Sequence, residues 1–208
     1  MNVGRPWGTL VAPGASKRQG TVSFDDRRLI AEVLRGRSAA FDGLVRRYGE
    51  RLFNTVFRLV GNKEDAEDVV QEAFVSAYQS LASFKGDSQF FTWLYRIAFN
   101  TAVSHKRKQK GTVSLDVGRN GEGGIDPPDK SESNQPGHAL LRAEEEHRIQ
   151  RALNQLSPEH RYVLVLKDME GQKYETIAEI LQVPVGTVRS RLHRARLELR
   201  EILERDQK

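Results

Sequence analysis

Val183-Pro184-Val185-Gly186-Thr187-Val188-Arg189-Ser190-Arg191-Leu192-His193-Arg194-Ala195-Arg196 is the stretch on which the fold turns. Val188, Leu192, Ala195 and Leu199 recur at spacings of three and four, so they form the buried stripe of a helix from about Val185 to Leu203. The remaining surface of that helix carries Arg189, Ser190, Arg191, His193, Arg194 and Arg196. Just upstream, Ile177, Ala178 and Leu181 mark a helix over 174–181, and Gln182-Val183-Pro184 leaves room only for a short turn. Helix, short turn, helix holds a second helix clear of its support, with its N-terminal half free to enter a DNA major groove. Arginine pairs bidentately with guanine, serine and histidine bond base edges, and the later arginines can hold phosphates. A solvated basic face on an amphipathic helix is the alternative. The preceding helix and turn argue against it.

Working outward, Gly171 stops a helix whose apolar face is Tyr162, Val163, Val165 and Leu166, and Ser157-Pro158 supplies its cap and first-turn proline. Leu140, Leu141, Ile149, Leu153 and Leu156 mark the helix before it. Between Gly111 and Gly137 the composition turns to Gly, Pro, Ser, Asp and Asn without an apolar period, which reads as a flexible acidic linker over 111–136. Upstream, helical periodicity returns. Phe90 to Lys110 is aromatic at one end and cationic at the other, and it follows a break at Ser83–Ser88. Asn62 caps a helix that buries Ala66, Val69, Val70, Ala73, Phe74, Ala77 and Leu81 and crowds Glu64, Asp65, Glu67, Asp68 and Glu72 into its early turns, where acids complement the helix dipole. Ser38 caps the long helix that Gly61 ends, and Asp25 and Asp26 cap a short one ending at Gly36. No stretch alternates as a strand. The expected fold is all-α: two small helical domains, over 25–110 and 137–208, joined by a flexible linker, the C-terminal one a helix-turn-helix.

Composition narrows the function. The 208 residues include no cysteine, which removes disulfides and thiolate chemistry and suits a reducing, cytoplasmic setting. The net charge of +5 is modest. Its placement matters more, because Val185 to Arg196 holds four Arg, one His and no acid, while the rest of the C-terminal block is acidic in balance. No catalytic constellation is expected: the histidines at 105, 138, 147, 160 and 193 lack ligand spacing, and no Gly-rich phosphate loop follows a strand. No metal and no cofactor are expected either. Residues 1–24 hold Arg5, Lys17 and Arg18 without an apolar span of ~20 residues, so they read as a disordered basic arm, with neither signal peptide nor membrane insertion.

The helix-turn-helix run resembles the promoter-reading helix of bacterial sigma factors, specifically the extracytoplasmic-function (ECF) group of the sigma-70 family. Asp68-Val69-Val70-Gln71-Glu72-Ala73-Phe74 resembles that family's core-polymerase-binding helix. Phe84-Lys85-Gly86-Asp87-Ser88, followed by Phe91-Thr92-Trp93-Leu94-Tyr95-Arg96-Ile97-Ala98-Phe99-Asn100-Thr101-Ala102, resembles its promoter-melting segment. The three motifs stand in the family's order.

The resemblance implies a dissociable promoter-specificity subunit of RNA polymerase. By it, 25–110 is the region 2 domain, which binds core polymerase and recognises and melts the -10 element, and 137–208 is the region 4 domain, which reads the -35 element. Asp68, Gln71 and Glu72 would dock on the coiled coil of the largest polymerase subunit, with the flap as a second polymerase contact. Phe84, Lys85, Gly86, Asp87, Ser88, Tyr95, Arg96 and Asn100 would take the unstacked non-template single strand, a flipped base needing a stacking wall and polar groups for its edge. Lys106, Arg107 and Lys108 would hold phosphates at the fork. Thr187, Arg189, Ser190, Arg191, His193, Arg194 and Arg196 would read duplex -35 DNA. An anti-sigma factor is the further partner implied. Trp93 reads mainly as packing. Gln172 and Lys173 depart from the family's pattern, because a cap residue is lost where the first helix of the motif begins. Two other readings stay open on the residues alone: a stand-alone DNA-binding regulator and a purely protein-binding helical adaptor.

Overall fold

The computed structural model describes residues 22–113 and 136–206, with the side chains of 108–113 and 136–143 excepted. The arm before Val22 and most of the expected linker lie outside the described residues. Ser23 opens helix α1 (Phe24–Leu34) by accepting a hydrogen bond from the Asp26 amide at 3.1 Å. The cap is therefore Ser23 and not the aspartates, which are pulled elsewhere: Arg47 donates to Asp26 at 2.7 Å and to Asp25 at 3.2 Å, and the Tyr48 hydroxyl donates to Asp26 at 2.6 Å. Burial and the Asp26 carboxylate together push the Tyr48 hydroxyl far above its ordinary pKa. Val22 is buried in the same core, although it belongs to the segment expected to be an arm.

Ser38 sits in a 3-10 turn, Ser38–Ala40, without capping through its side chain, and α2 (Phe41–Val60) follows with Ala40 at its N-cap. Gly61 ends α2 in the left-handed region at φ 93°. Asn62 caps α3 (Lys63–Ser80), accepting from the Asp65 amide at 2.7 Å as the sequence predicts. Helix α4 (Phe90–Val113) runs three residues past the expected Lys110. Leu44, Leu52, Val56 and Leu59 of α2 meet Ala66, Val69, Ala73 and Ala77 of α3 and Phe90, Leu94 and Ala98 of α4, all essentially without solvent exposure. The small alanines let α4 approach α3 closely, and each large side chain in this core contributes about 1.5–3 kcal/mol by burial.

The second domain begins with α5 (Pro136–Gln155), starting before the expected Leu140. Ser157 and Pro158 open α6 (Pro158–Leu164) as predicted. α6 then widens into a π turn, Val165–Met169, closed by the Glu170 amide on the Val165 carbonyl at 3.0 Å. α7 (Tyr174–Leu181) and α8 (Val185–Arg205) complete it. Leu153, Val163, Leu166, Ile177, Val188 and Ala195 form the core. The described residues contain no strand, and the all-α architecture in two helical domains stands.

The two domains touch, which the sequence did not foretell. The end of α2 exposes carbonyls that no intrahelical amide reaches. Arg161 donates to the Leu59 carbonyl at 3.1 Å and Asn154 to the Gly61 carbonyl at 3.4 Å, so the second domain caps a helix of the first with a guanidinium suited to its negative end. Nearby, Glu170 accepts from the Thr55 hydroxyl at 2.7 Å and from Arg51 at 3.0 Å, and Phe99 meets Tyr162 edge-on at 5.0 Å. Gly61→Ala should therefore destabilise the chain: a Cβ there forces a left-handed alanine and lies 2.5 Å from the Asn154 side-chain oxygen. A loss of about 1–3 kcal/mol is expected in urea unfolding. An unchanged midpoint would contradict this account of the junction.

Candidate nucleic-acid interface

α7 and α8 form the helix-turn-helix. Gln182 closes α7 in the left-handed conformation, φ 54°, and the Val183 amide returns to the Ala178 carbonyl at 3.1 Å, so the turn is tight although it lacks glycine. Pro184 then starts α8, where the Thr187 amide reaches its carbonyl at 2.9 Å. As the Lys173 departure suggests, α7 has no side-chain cap. Ile177 and Ile180 of α7 and Val188, Leu192, Ala195 and Leu199 of α8 hold the pair on the core.

The outward face of α8 presents Arg189, Ser190, His193 and Arg194 to solvent, with Thr187 half-buried beside them. Ser190 bonds back to the Thr187 carbonyl at 3.0 Å. The Arg189 guanidinium lies 5.6 Å from the Tyr174 ring centre, an attraction that positions it without cancelling its charge. Arg191 and Arg196 flank the buried stripe and are engaged within the domain: Arg191 pairs with Glu159 at 2.7 Å, and Arg196 donates two bonds to Asp168, at 2.9 and 2.5 Å.

The segment matching the melting motif divides by face. Arg96 and Asn100 are exposed on α4, with Trp93 one turn before Arg96, half-buried. Trp93 packs on Phe84 (ring centres 5.2 Å apart) and Phe90 (5.7 Å), and Phe84 also meets Phe90 at 5.7 Å. Lys85 and Asp87 stand exposed on the loop, Ser88 is half-buried, and Gly86 turns it at φ 78°, where a side chain is unfavourable. Arg107 continues the face of Asn100, Lys106 is half-buried on the other side, and the Lys108 side chain lies outside the described residues.

Tyr95 differs from expectation. It is 1% exposed on the opposite side of α4, beneath the second domain, near Glu170 and Tyr162. Burial pushes its hydroxyl well above the ordinary range. The structure thus gathers Phe84, Trp93, Arg96 and Asn100 and sets Tyr95 apart. Aromatics at helical spacing usually pack, which is why Trp93 reads mainly as packing, and it does pack, with one side left open.

On α3, Asp68, Gln71 and Glu72 are all exposed, and Val75 and Tyr78, also exposed, extend the surface by one and two turns. This is an acidic face with an apolar continuation. Among the described residues no group of three or more His, Cys, Asp or Glu is placed to hold a metal ion, and no helix is long and apolar enough to cross a membrane.

Comparison with known proteins agrees with this layout. Residues 44–112 match the family described as Sigma-70 region 2, and residues 146–199 match Sigma-70, region 4. The RNA polymerase sigma-H factor of Pseudomonas aeruginosa is 40% identical over 86% of this chain and 94% of its own length. The ECF RNA polymerase sigma-E factor of Escherichia coli is 40% identical over 82% and 90%. Among solved structures, the sigma factor RpoE in complex with the anti-sigma factor NepR from Bartonella quintana superposes with a TM-score of 0.65 at 27% identity, covering 79% of this chain and 96% of that one. CnrH in complex with the cytosolic domain of CnrY gives 0.60 at 27%, covering 88% and 99%. The chain belongs to the sigma-70 family, within its ECF group. It is a promoter-specificity subunit of RNA polymerase, with DNA binding and transcription initiation as its work.

Proposed function

We propose that the two domains divide promoter recognition between them. α8 reads the duplex -35 element through Arg189, Ser190, His193 and Arg194, while the Phe84–Trp93 aromatic wall, Arg96 and Asn100 receive a base of the non-template -10 strand as the duplex opens. The acidic face of α3, centred on Asp68, Gln71 and Glu72, docks on a basic surface of core polymerase. Binding energy opens the DNA, with no bond made or broken by this chain, and the site of action is the cytoplasm. The observation that carries the reading is the co-location of Asn100 and Arg96, both exposed, beside a half-open aromatic cluster. That is the combination of stacking surface and edge-bonding groups that a single extruded base requires.

An anti-sigma factor is the expected inhibitor, supported by the two structural relatives: one is bound to an anti-sigma factor and the other to the cytosolic domain of CnrY. The assay is run-off transcription with core polymerase on promoter DNA. Asn100→Ala should leave binding to duplex -35 DNA unchanged and lower run-off roughly 5- to 150-fold, since one lost base contact is worth about 1–3 kcal/mol. Equal run-off on a pre-melted template would locate the defect in opening. Tight binding to an operator-like duplex as a dimer, with no response to core polymerase, would instead favour a stand-alone regulator.

A further inference from the structure

The cations of α8 are not equivalent. At 3.6 residues per turn, Ser190, His193 and Arg194 lie opposite the buried stripe, whereas Arg196 and Arg191 lie at its two borders. At one border, Asp168 in the π turn receives Arg196 side-on through Nε and Nη2, at 2.9 and 2.5 Å. At the other, Glu159 in the first turn of α6 holds Arg191 at 2.7 Å. Two parallel bonds on a carboxylate are the geometry in which a partly exposed pair persists, because the planar guanidinium loses little freedom in forming them. The Asp168 hydrogen bonds raise the Arg196 pKa further, so Arg196 stays charged at every pH at which the carboxylate can hold it. The Arg189 guanidinium, by contrast, lies 5.6 Å from the Tyr174 ring centre, and no ion pair involves Arg194 among the described residues.

We infer that Asp168 and Glu159 are specificity-determining positioning residues, which hold Arg196 and Arg191 in ion pairs and so withdraw two charges from the DNA-facing surface of α8. The inference rests on α8 being the -35-reading helix. Affinity for random duplex comes almost entirely from counterions released by cations that reach phosphates. A long arginine freed at the border of α8 can find a phosphate in any register, whereas Arg189, Ser190, His193 and Arg194 make their best contacts in one. Tying back the border arginines therefore lowers binding to random sequence more than binding to the promoter.

The test uses the full chain titrated with a random-sequence duplex at several salt concentrations. Asp168→Asn should steepen the slope of log affinity against log salt by about 0.9, and adding Glu159→Gln should steepen it by a similar amount again. The advantage of D168N over wild type then grows about threefold for each fourfold dilution of salt. Asp168→Glu should keep the wild-type slope, and D168N combined with Arg196→Gln should return to it. A lost structural contact would move the unfolding midpoint but not this slope. In parallel, the holoenzyme is assayed for run-off from a promoter template selected with it, against random competitor DNA. D168N should make run-off about threefold more sensitive to competitor at low salt. A D168N slope equal to wild type, which is the result if DNA already strips Arg196 from Asp168, overturns the inference, as does unchanged competitor sensitivity. Failure of the underlying reading is separately visible, because Arg189→Ala would then leave the holoenzyme's promoter preference unchanged.

Discussion

Arg189→Ala is expected to lower promoter-directed run-off by roughly 5- to 150-fold, equivalent to the about 1–3 kcal/mol that a bidentate base contact contributes. Arg189 lies in the second turn of α8, the part of a recognition helix that enters the groove first. It is exposed, and its guanidinium is steered by the Tyr174 ring without being neutralised. Its loss removes a reading group and leaves the core untouched, so the free energy of unfolding should stay within about 0.5 kcal/mol of wild type. Arg189→Lys should recover phosphate attraction but not discrimination, because an ammonium cannot present the two-pronged fork. Run-off unchanged in the alanine variant would remove α8 from promoter reading.

The largest stability effect should come from Arg161→Met. Arg161 is 5% exposed and donates to the carbonyls of Leu59, Asn154 and Leu156, at 3.1, 2.7 and 3.3 Å. Burial lowers its pKa, the mark of a charge held where water does not reach it. Methionine fills much of the same volume but supplies no donor, which leaves carbonyls of both domains stranded. Leaving buried acceptors unpaired costs about 1–3 kcal/mol for each group, so for three carbonyls a total of roughly 3–9 kcal/mol is expected in urea unfolding. Arg161→Lys should recover only part of this, since one ammonium cannot span three carbonyls in two domains. A methionine variant as stable as wild type would mean that water replaces the guanidinium and that the site is less closed than its geometry states.

What the sequence revealed and what it hid follow from the range of the interactions involved. The Asn62 cap, the Ser157-Pro158 start and the Gly61 stop were readable because each acts within four residues of itself. The helix-turn-helix was readable for the same reason, its buried stripe and turn lying inside about thirty residues. The α1 cap was misplaced because Ser23, Asp25 and Asp26 are all good capping residues, and what decides among them is Arg47 and Tyr48, more than twenty positions away. The resemblance groups Tyr95 with the DNA-facing residues, and nothing local contradicts it, because α4 carries aromatics on several sides. The second domain, arriving through Tyr162 and Glu170, makes the Tyr95 side interior. The π turn left no periodic signature, yet it turns Asp168 toward α8 and Glu170 toward α2 within three residues.

The buried hydroxyl of Tyr95 gives that junction a built-in tension. Among the described residues it has no hydrogen-bond partner, and a polar group so placed forfeits about 1–3 kcal/mol relative to one in water. Parting the domains would wet it and return that energy, partly offsetting the loss of the Arg161 and Glu170 bonds. Contact and separation are thereby brought nearer in free energy than the number of bonds across the seam suggests.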